Sequence, residues 1–228
     1  MQFSRCFLNR LQDRALVHDT VVVIDVLRSF TTAAVALARG ATAIYPVEGI
    51  AAALALNDRL AHSVSVGAIA GGDPIAEFDH GNSPARLLDE DLRGRPVVLS
   101  TAAGVRGLQH FTAARHLYAA SLVCARATAQ AIAASGTQDV CLVITGEWVD
   151  RDGDEDIACA DYIEALLSGQ AADPAHYALR VRTSDFGRRF GASDWPNLSL
   201  ADLELCADVD RFDFAMPVAR AGEHLVIR

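Results

Sequence analysis

Residues 20–39 read TVVVIDVLRSFTTAAVALAR, followed by Gly40. Thr20–Ile24 is apolar throughout, the signature of a strand buried on both faces. Thr31–Arg39 carries a helical pattern and stops at a glycine, the usual helix terminator. Between them lie Asp25, Arg28 and Ser29. The same alternation runs outward along the chain. Strands are predicted at Ala41–Val47, Ser63–Val66, Pro96–Ser100, His116–Ala119 and Val140–Thr145. Helices are predicted at Glu48–Ala61, Val105–Ala114, Ala125–Ala134 (stopped by Gly136) and Asp156–Leu167. Another helix opens at Ser83-Pro84, where a capping hydroxyl precedes proline at the first helical position. Apolar strands separated by helices predict an α/β fold with a mixed, mostly parallel sheet covered on both faces.

The tail reads differently. Asp173–Asp194 is expected to be a helix with irregular ends, Leu200–Asp208 a helix, and Pro217–Ile227 a strand or strand pair. No linker precedes it. Residues 1–228 are therefore read as one domain, with 170–228 as its C-terminal extension. Of the 228 residues, 51% are hydrophobic and 21% charged, which excludes a disordered chain. No apolar run is long enough to span a bilayer, and the opening MQFSRCFLNRLQDR lacks a secretory core, so no membrane partner and a cytoplasmic location are expected. The formal net charge of −9 argues against a nucleic-acid partner. All 20 basic residues are arginine, which excludes Schiff-base lysine chemistry while leaving bidentate anion binding available. The five cysteines are far apart in sequence and include no C-x-x-C pair, so they read as reduced thiols with no zinc motif of standard spacing.

Ligands of open α/β sheets bind beyond the carboxyl ends of the strands. Four predicted strands end in polar loops: Asp25–Thr32, Glu77–Pro84, Ser100–Gly104 and Thr145–Asp156. In a parallel sheet these loops share one rim. Hydroxyls and helix N-terminal amides suit a phosphate or sulfonate, Arg28 suits an anion clamp, and Asp25, Asp79, Glu155 and Asp156 suit Mg²⁺. Each has a plainer reading, such as Asp25 capping the next helix. The run Asp150-x-Asp152-Gly153-Asp154 imitates a calcium loop, but Glu155 occupies the position that needs glycine.

Together, Ile24–Ala33, Phe78-Asp79-His80-Gly81-Asn82-Ser83-Pro84, Thr101–Gly104 and Asp154–Ala160 resemble the 2-phosphosulfolactate phosphatase family, in order and along most of residues 20–165. Val209–Met216 is also similar to bacterial members. The resemblance implies a three-layer α/β/α fold and a Mg²⁺-dependent phosphatase of a small anionic phosphorylated substrate. It implies sulfolactate as product, on a route to coenzyme M in methanogens, and a homodimer. Carried over by position, Asp25, Asp79 and Asp156 are catalytic candidates, and Asp25, Asp79 and Glu155 metal ligands. Arg28, Thr31, Thr32, Asn82, Ser83, Thr101 and Gly104 are substrate-binding candidates. Cys159 shares a helical face with Asp156, as nucleophile or as a small buried residue. The nucleophile is otherwise open between water and a carboxylate. Many members carry Gly-Glu-Arg-x-Gly before the Asp79 motif; here Gly67–Gly72 has neither Glu nor Arg, and Glu77 is the candidate stand-in. That departure supports an alternative reading, a degenerate member that binds an anion without turnover.

Overall fold

The computed structural model describes residues 1–11 and 18–228. Strand β1 (Gln2–Phe7) leads to a short 3-10 turn. β2 (Thr20–Ile24) is wholly buried and feeds α1 (Ser29–Ala38). β3 (Ala43–Pro46), α2 (Ile50–Arg59) and β4 (Val64–Gly67) follow, then the two-residue β5 (His80–Gly81). α3 (Pro84–Leu87) begins as its sequence predicts: the Ser83 hydroxyl accepts from the Arg86 amide, with Pro84 behind it. β6 (Pro96–Ser100), α4 (Gly104–His110), β7 (His116–Ala120) and α5 (Ala125–Ser135) come next. α5 ends at Gly136, whose φ of 72° is the left-handed conformation of a helix terminus. β8 (Asp139–Ile144) and α6 (Asp154–Leu167) complete the alternating part. The tail supplies α7 (Pro174–Thr183), α8 (Leu200–Cys206) and the hairpin β9 (Met216–Ala221)–β10 (His224–Ile227). Among the described residues no helix is long and apolar enough to cross a membrane.

The strands form one mixed sheet in the order β1-β8-β2-β7-β9-β10-β3-β6-β4-β5. Both faces are covered, as the apolar runs predict. Val21 and Val23 of β2 pack on the α1 side, while Val22 and Ile24 pack with α5 and α6. β1, β8, β2 and β7 are mutually parallel, and so are β3, β6, β4 and β5. The C-terminal hairpin joins the two groups through antiparallel pairs on both sides. The tail thus lies in the middle of the sheet, and β1 is an edge strand absent from the sequence reading.

Three antiparallel junctions separate β2 from β6. In a flat sheet the two strands would run in opposite directions, about 24 Å apart. The turn after β6 nevertheless reaches Asp25: the Gly104 amide donates to its carboxylate at 2.9 Å. Four residues beyond Ser100 span at most about 14 Å, so the sheet coils sharply across the hairpin. β10 meets β3 through a single register pair, Ile227 with Ile44, as expected where strands cross steeply. The ends of β2 and β6 converge by twist, and not by lying on one parallel rim.

Candidate active site

Asp25 stands at the end of β2, where the last apolar strand residue gives way to the turn into α1. Its Oδ1 accepts from the Ser29 amide at 3.0 Å and its Oδ2 from the Gly104 amide. One carboxylate thus terminates two helices, α1 and α4, at the ends where their dipoles favour negative charge. Burial pushes its pKa up, while these bonds pull it down. The capping role read from sequence is real, and the same residue also faces a cavity of about 410 Å³. Gly104 is required by close approach: a Cβ there would lie 2.8 Å from Asp25 Oδ2 and 2.9 Å from the Phe30 ring.

Asp156, in the first turn of α6, ties three elements together. Its Oδ1 accepts from the Val26 amide at 2.8 Å, and its Oδ2 from the amides of Thr145 (3.0 Å) and Gly146 (2.7 Å) and the Thr145 hydroxyl. These bonds hold the ends of β2 and β8 against α6. Burial, then the charges of Glu155 and Asp25, push its pKa well up. Glu155 is equally buried, and burial raises its carboxyl to about 7. Its Oε2 has no hydrogen-bond partner. Asp156 therefore sits within electrostatic reach of both Glu155 and Asp25.

Asp79 does not join them. It is exposed, and its Oδ2 accepts from the Ser65 amide (2.8 Å) and hydroxyl (2.7 Å). It does not line the cavity, and its pKa is lowered: desolvation raises it, but the Ser65 bonds and nearby positive charge together outweigh that. Among the described residues, Asp25, Asp79 and Glu155 form no cluster of converging ligand atoms. Thr31 also turns inward, donating to the Val26 carbonyl at 2.8 Å and meeting Ser121 Oγ at 2.5 Å. Thr32 is buried away from the cavity with its hydroxyl unpartnered. Cys159 is fully buried, with its thiol pKa pushed well up by desolvation, and takes the small-core-residue reading.

Asn82 and Thr101 do line the cavity, and both Asn82 Oδ1 and Thr101 Oγ1 lack a partner. Buried polar atoms seldom go unpaired, and these two mark where a ligand donor would bond. Arg28 lines the same wall, but its guanidinium is already engaged. It donates to Asp202 Oδ2 (2.9 Å), to the Asn197 carbonyl (3.0 Å) and to the Gly72 carbonyl (3.2 Å). Asp202 Oδ1 in turn accepts from Ser83 Oγ (2.7 Å) and the Ala85 amide (3.0 Å). Ser83 therefore serves as a helix cap and a link to Asp202.

Asp202 and Arg151 were not singled out from the sequence, whereas Arg189 belongs to the Arg-rich stretch Arg180–Arg189, which reads from sequence either as a solvated helix face or as a source of an arginine for the substrate. Arg151 and Arg189 both line the cavity. Arg189 donates to the Asp150 carboxylate at 2.8 Å, and its guanidinium lies over the rings of Phe186 and Trp195. Arg151 lies over Phe186, 4.9 Å from the ring centre. Two further arginines of that stretch point elsewhere: Arg180 to Asp154 and Asp161, Arg182 to Glu204. Ala68, Ile69, Gly71 and Gly72 line the wall where Glu and Arg were expected by resemblance, and Glu77 is exposed and outside the cavity.

The pattern of the 2-phosphosulpholactate phosphatase family matches residues 6–220. The chain belongs to that family. A relative from Carboxydothermus hydrogenoformans, named "probable 2-phosphosulfolactate phosphatase", is 35% identical over 216 residues, covering 90% of this chain and 87% of its own. Relatives of the same name from Bacillus subtilis and Thermus thermophilus are 31% and 33% identical, covering 90% and 92% of this chain and 89% and 92% of theirs. The family's match includes β1 from Cys6 onward and runs into β9, so it takes in both parallel strand groups and the cavity where they converge.

Proposed function

We propose that the chain is a Mg²⁺-dependent phosphatase of a small anionic phosphomonoester, 2-phosphosulfolactate or a related phosphorylated acid. The observation that carries this reading is the cavity itself. A helix-capping carboxyl, Asp25, faces three guanidinium groups and two unpartnered acceptors. Hydrolysis adds water across the P–O bond and yields inorganic phosphate and the alcohol. It asks mainly for positioning and charge neutralisation. Arg151 and Arg189 offset the substrate's negative charge, while Arg28, its charge balanced by Asp202, holds the cavity wall. The Thr101 hydroxyl donates to an anionic oxygen of the substrate, and Asn82 Oδ1 accepts from a protonated phosphate oxygen or from water. Asp25, raised by burial, is the carboxyl placed to hold or release a proton at the reacting phosphate.

The side chains present fit Mg²⁺ in part. Of the three expected ligands Asp25 lines the cavity and would offer the ion one carboxylate, with water completing its shell; the buried Glu155 carboxyl, with its Oε2 unpartnered, lies outside that lining. Asp79 does not fit, being bonded to Ser65 outside the cavity. Bound Mg²⁺ would supply further charge neutralisation at the transferring phosphoryl group. A second reading, anion binding without turnover, is favoured by the wall at Ala68–Gly72, which bears no charged side chain. Phosphate release from a panel of small phosphorylated acids, with Mg²⁺ and with EDTA, separates the two. Turnover that needs Mg²⁺ and falls ~10²-fold or more in Asp25→Asn supports the phosphatase. Tight substrate binding by calorimetry with no release from any substrate supports the second reading.

A further inference from the structure

A second cluster of reactive side chains lies at the β1 edge of the sheet, and the cavity does not use it. Cys6 in β1, Cys141 in β8 and His18 just ahead of β2 offer ligand atoms that all lie within 4.8 Å of one another. The Cys6 and Cys141 sulfurs are 3.2 Å apart. Cys141 is fully buried, Cys6 nearly so, and His18 half-buried. His18 Nδ1 lies 3.1 Å from Asp139 Oδ2, which also accepts from the Asp19 amide. A ring whose Nδ1–H donates to a carboxylate carries its lone pair on Nε2. A carboxylate behind a histidine is the arrangement that orients metal-bound imidazoles and raises their basicity.

We propose that Cys6, Cys141 and His18 form a binding site for a thiophilic cation of the Zn²⁺ type, with Asp139 as the positioning residue of His18. The strand register favours a metal over a disulfide. Cys141 pairs with Ser4, and Cys6 with Val143, so the two cysteines are two residues out of register. On parallel strands that offset puts their Cα atoms about 8 Å apart, beyond the roughly 7 Å that a disulfide spans without backbone movement. Tetrahedral zinc, with Zn–S bonds of about 2.3 Å, holds its sulfurs about 3.8 Å apart. The thiols need only part slightly to take it. Binding displaces two thiol protons to solvent as two metal–sulfur bonds form. The imidazole supplies the third ligand and water the fourth. Such an ion would tie the edge strand β1, which among the described residues pairs with β8 alone, to the segment entering β2.

The test is titration of the reduced full chain with Co²⁺, read by absorption, then competition with Zn²⁺. Expected are one equivalent bound, a thiolate-to-cobalt charge-transfer band, visible bands of tetrahedral intensity, and displacement of cobalt by zinc. Only thiolate ligation gives the charge-transfer band, so cobalt at Asp25 or Glu155 is distinguished. Cys6→Ser and Cys141→Ser should abolish it. Asp139→Asn should keep the band and weaken binding about 10- to 100-fold. Cys141 is a core residue, so the half-buried His18→Gln serves as the variant that keeps its fold by circular dichroism and still loses at least about tenfold in affinity. No charge-transfer band at millimolar Co²⁺ with the folded wild-type chain overturns the proposal, as does unchanged binding in folded His18→Gln or Cys6→Ser.

Discussion

Asp202→Asn is the most informative single perturbation. Arg28 and Asp202 form a buried ion pair, with side chains 3% and 1% exposed and the NH1–Oδ2 distance 2.9 Å. The asparagine oxygen can keep the bonds from Ser83 and Ala85. Its amide then faces the Arg28 guanidinium, donor against donor, and the buried cation loses its counter-charge. Breaking one side of a buried pair costs about 3–5 kcal/mol, a large share of the roughly 5–15 kcal/mol that holds a typical protein folded. For a chain of this length that corresponds to a fall in Tm of about 6–20 °C. Urea unfolding followed by tryptophan fluorescence is the assay, because both tryptophans, Trp148 and Trp195, line the cavity. Arg28→Met should cost a comparable amount. The double variant should cost less than the two singles combined, by more than about 1 kcal/mol, since it leaves no unpaired charge. An unfolding free energy for Asp202→Asn within about 1 kcal/mol of wild type, or strict additivity in the double variant, would refute the idea that this pair anchors the cavity wall.

Two further expectations follow from the same site. The Glu155 carboxyl rises from its ordinary 4.5 to about 7 by burial, so the folded state binds its proton more tightly than the unfolded state does. Its contribution to stability is present in full below pH 4.5 and is lost as pH rises through 7, by up to about 3 kcal/mol. Glu155→Gln should flatten that part of the pH–stability curve, measured by urea unfolding from pH 4 to 8; an unchanged slope would contradict the assignment. Gly104→Ala forces a methyl against Asp25 Oδ2 and Phe30. It should cost about 1–3 kcal/mol from overpacking and, by displacing Asp25, reduce kcat/KM by up to ~10²-fold. Wild-type kinetics in this variant would show that the Asp25 position is not critical.

Much of this architecture was open to local reading. Thr20–Ile24 and Pro96–Ser100 are strands with the predicted bounds, because an unbroken apolar run must be buried on both faces wherever it goes. Ser83-Pro84 and Gly136 act at the helix ends their backbone chemistry dictates. β1 escaped because its burial pattern mixes exposed and buried positions, as an edge strand with one neighbour allows. Asp25 was legible too, since a carboxyl following a buried strand and preceding a helix has helix amides within reach.

What the sequence determined by itself is therefore the α/β class, most element positions, the place of Asp25 and the family resemblance. Each depends on neighbours within a few residues or on a motif read in order. Tertiary structure alone decided the rest. It set the C-terminal hairpin in the middle of the sheet, coiled the sheet until β2 and β6 converge, and left Asp79 bonded to Ser65 outside the cavity. It paired Arg28 with Asp202, which is 174 residues away, and brought Cys6 beside Cys141 across 135 residues. The physical reason is common to all of these. Strand order, twist and buried charge pairing follow from contacts whose partners are remote in sequence, and no local pattern records which remote group will satisfy a buried charge or thiol.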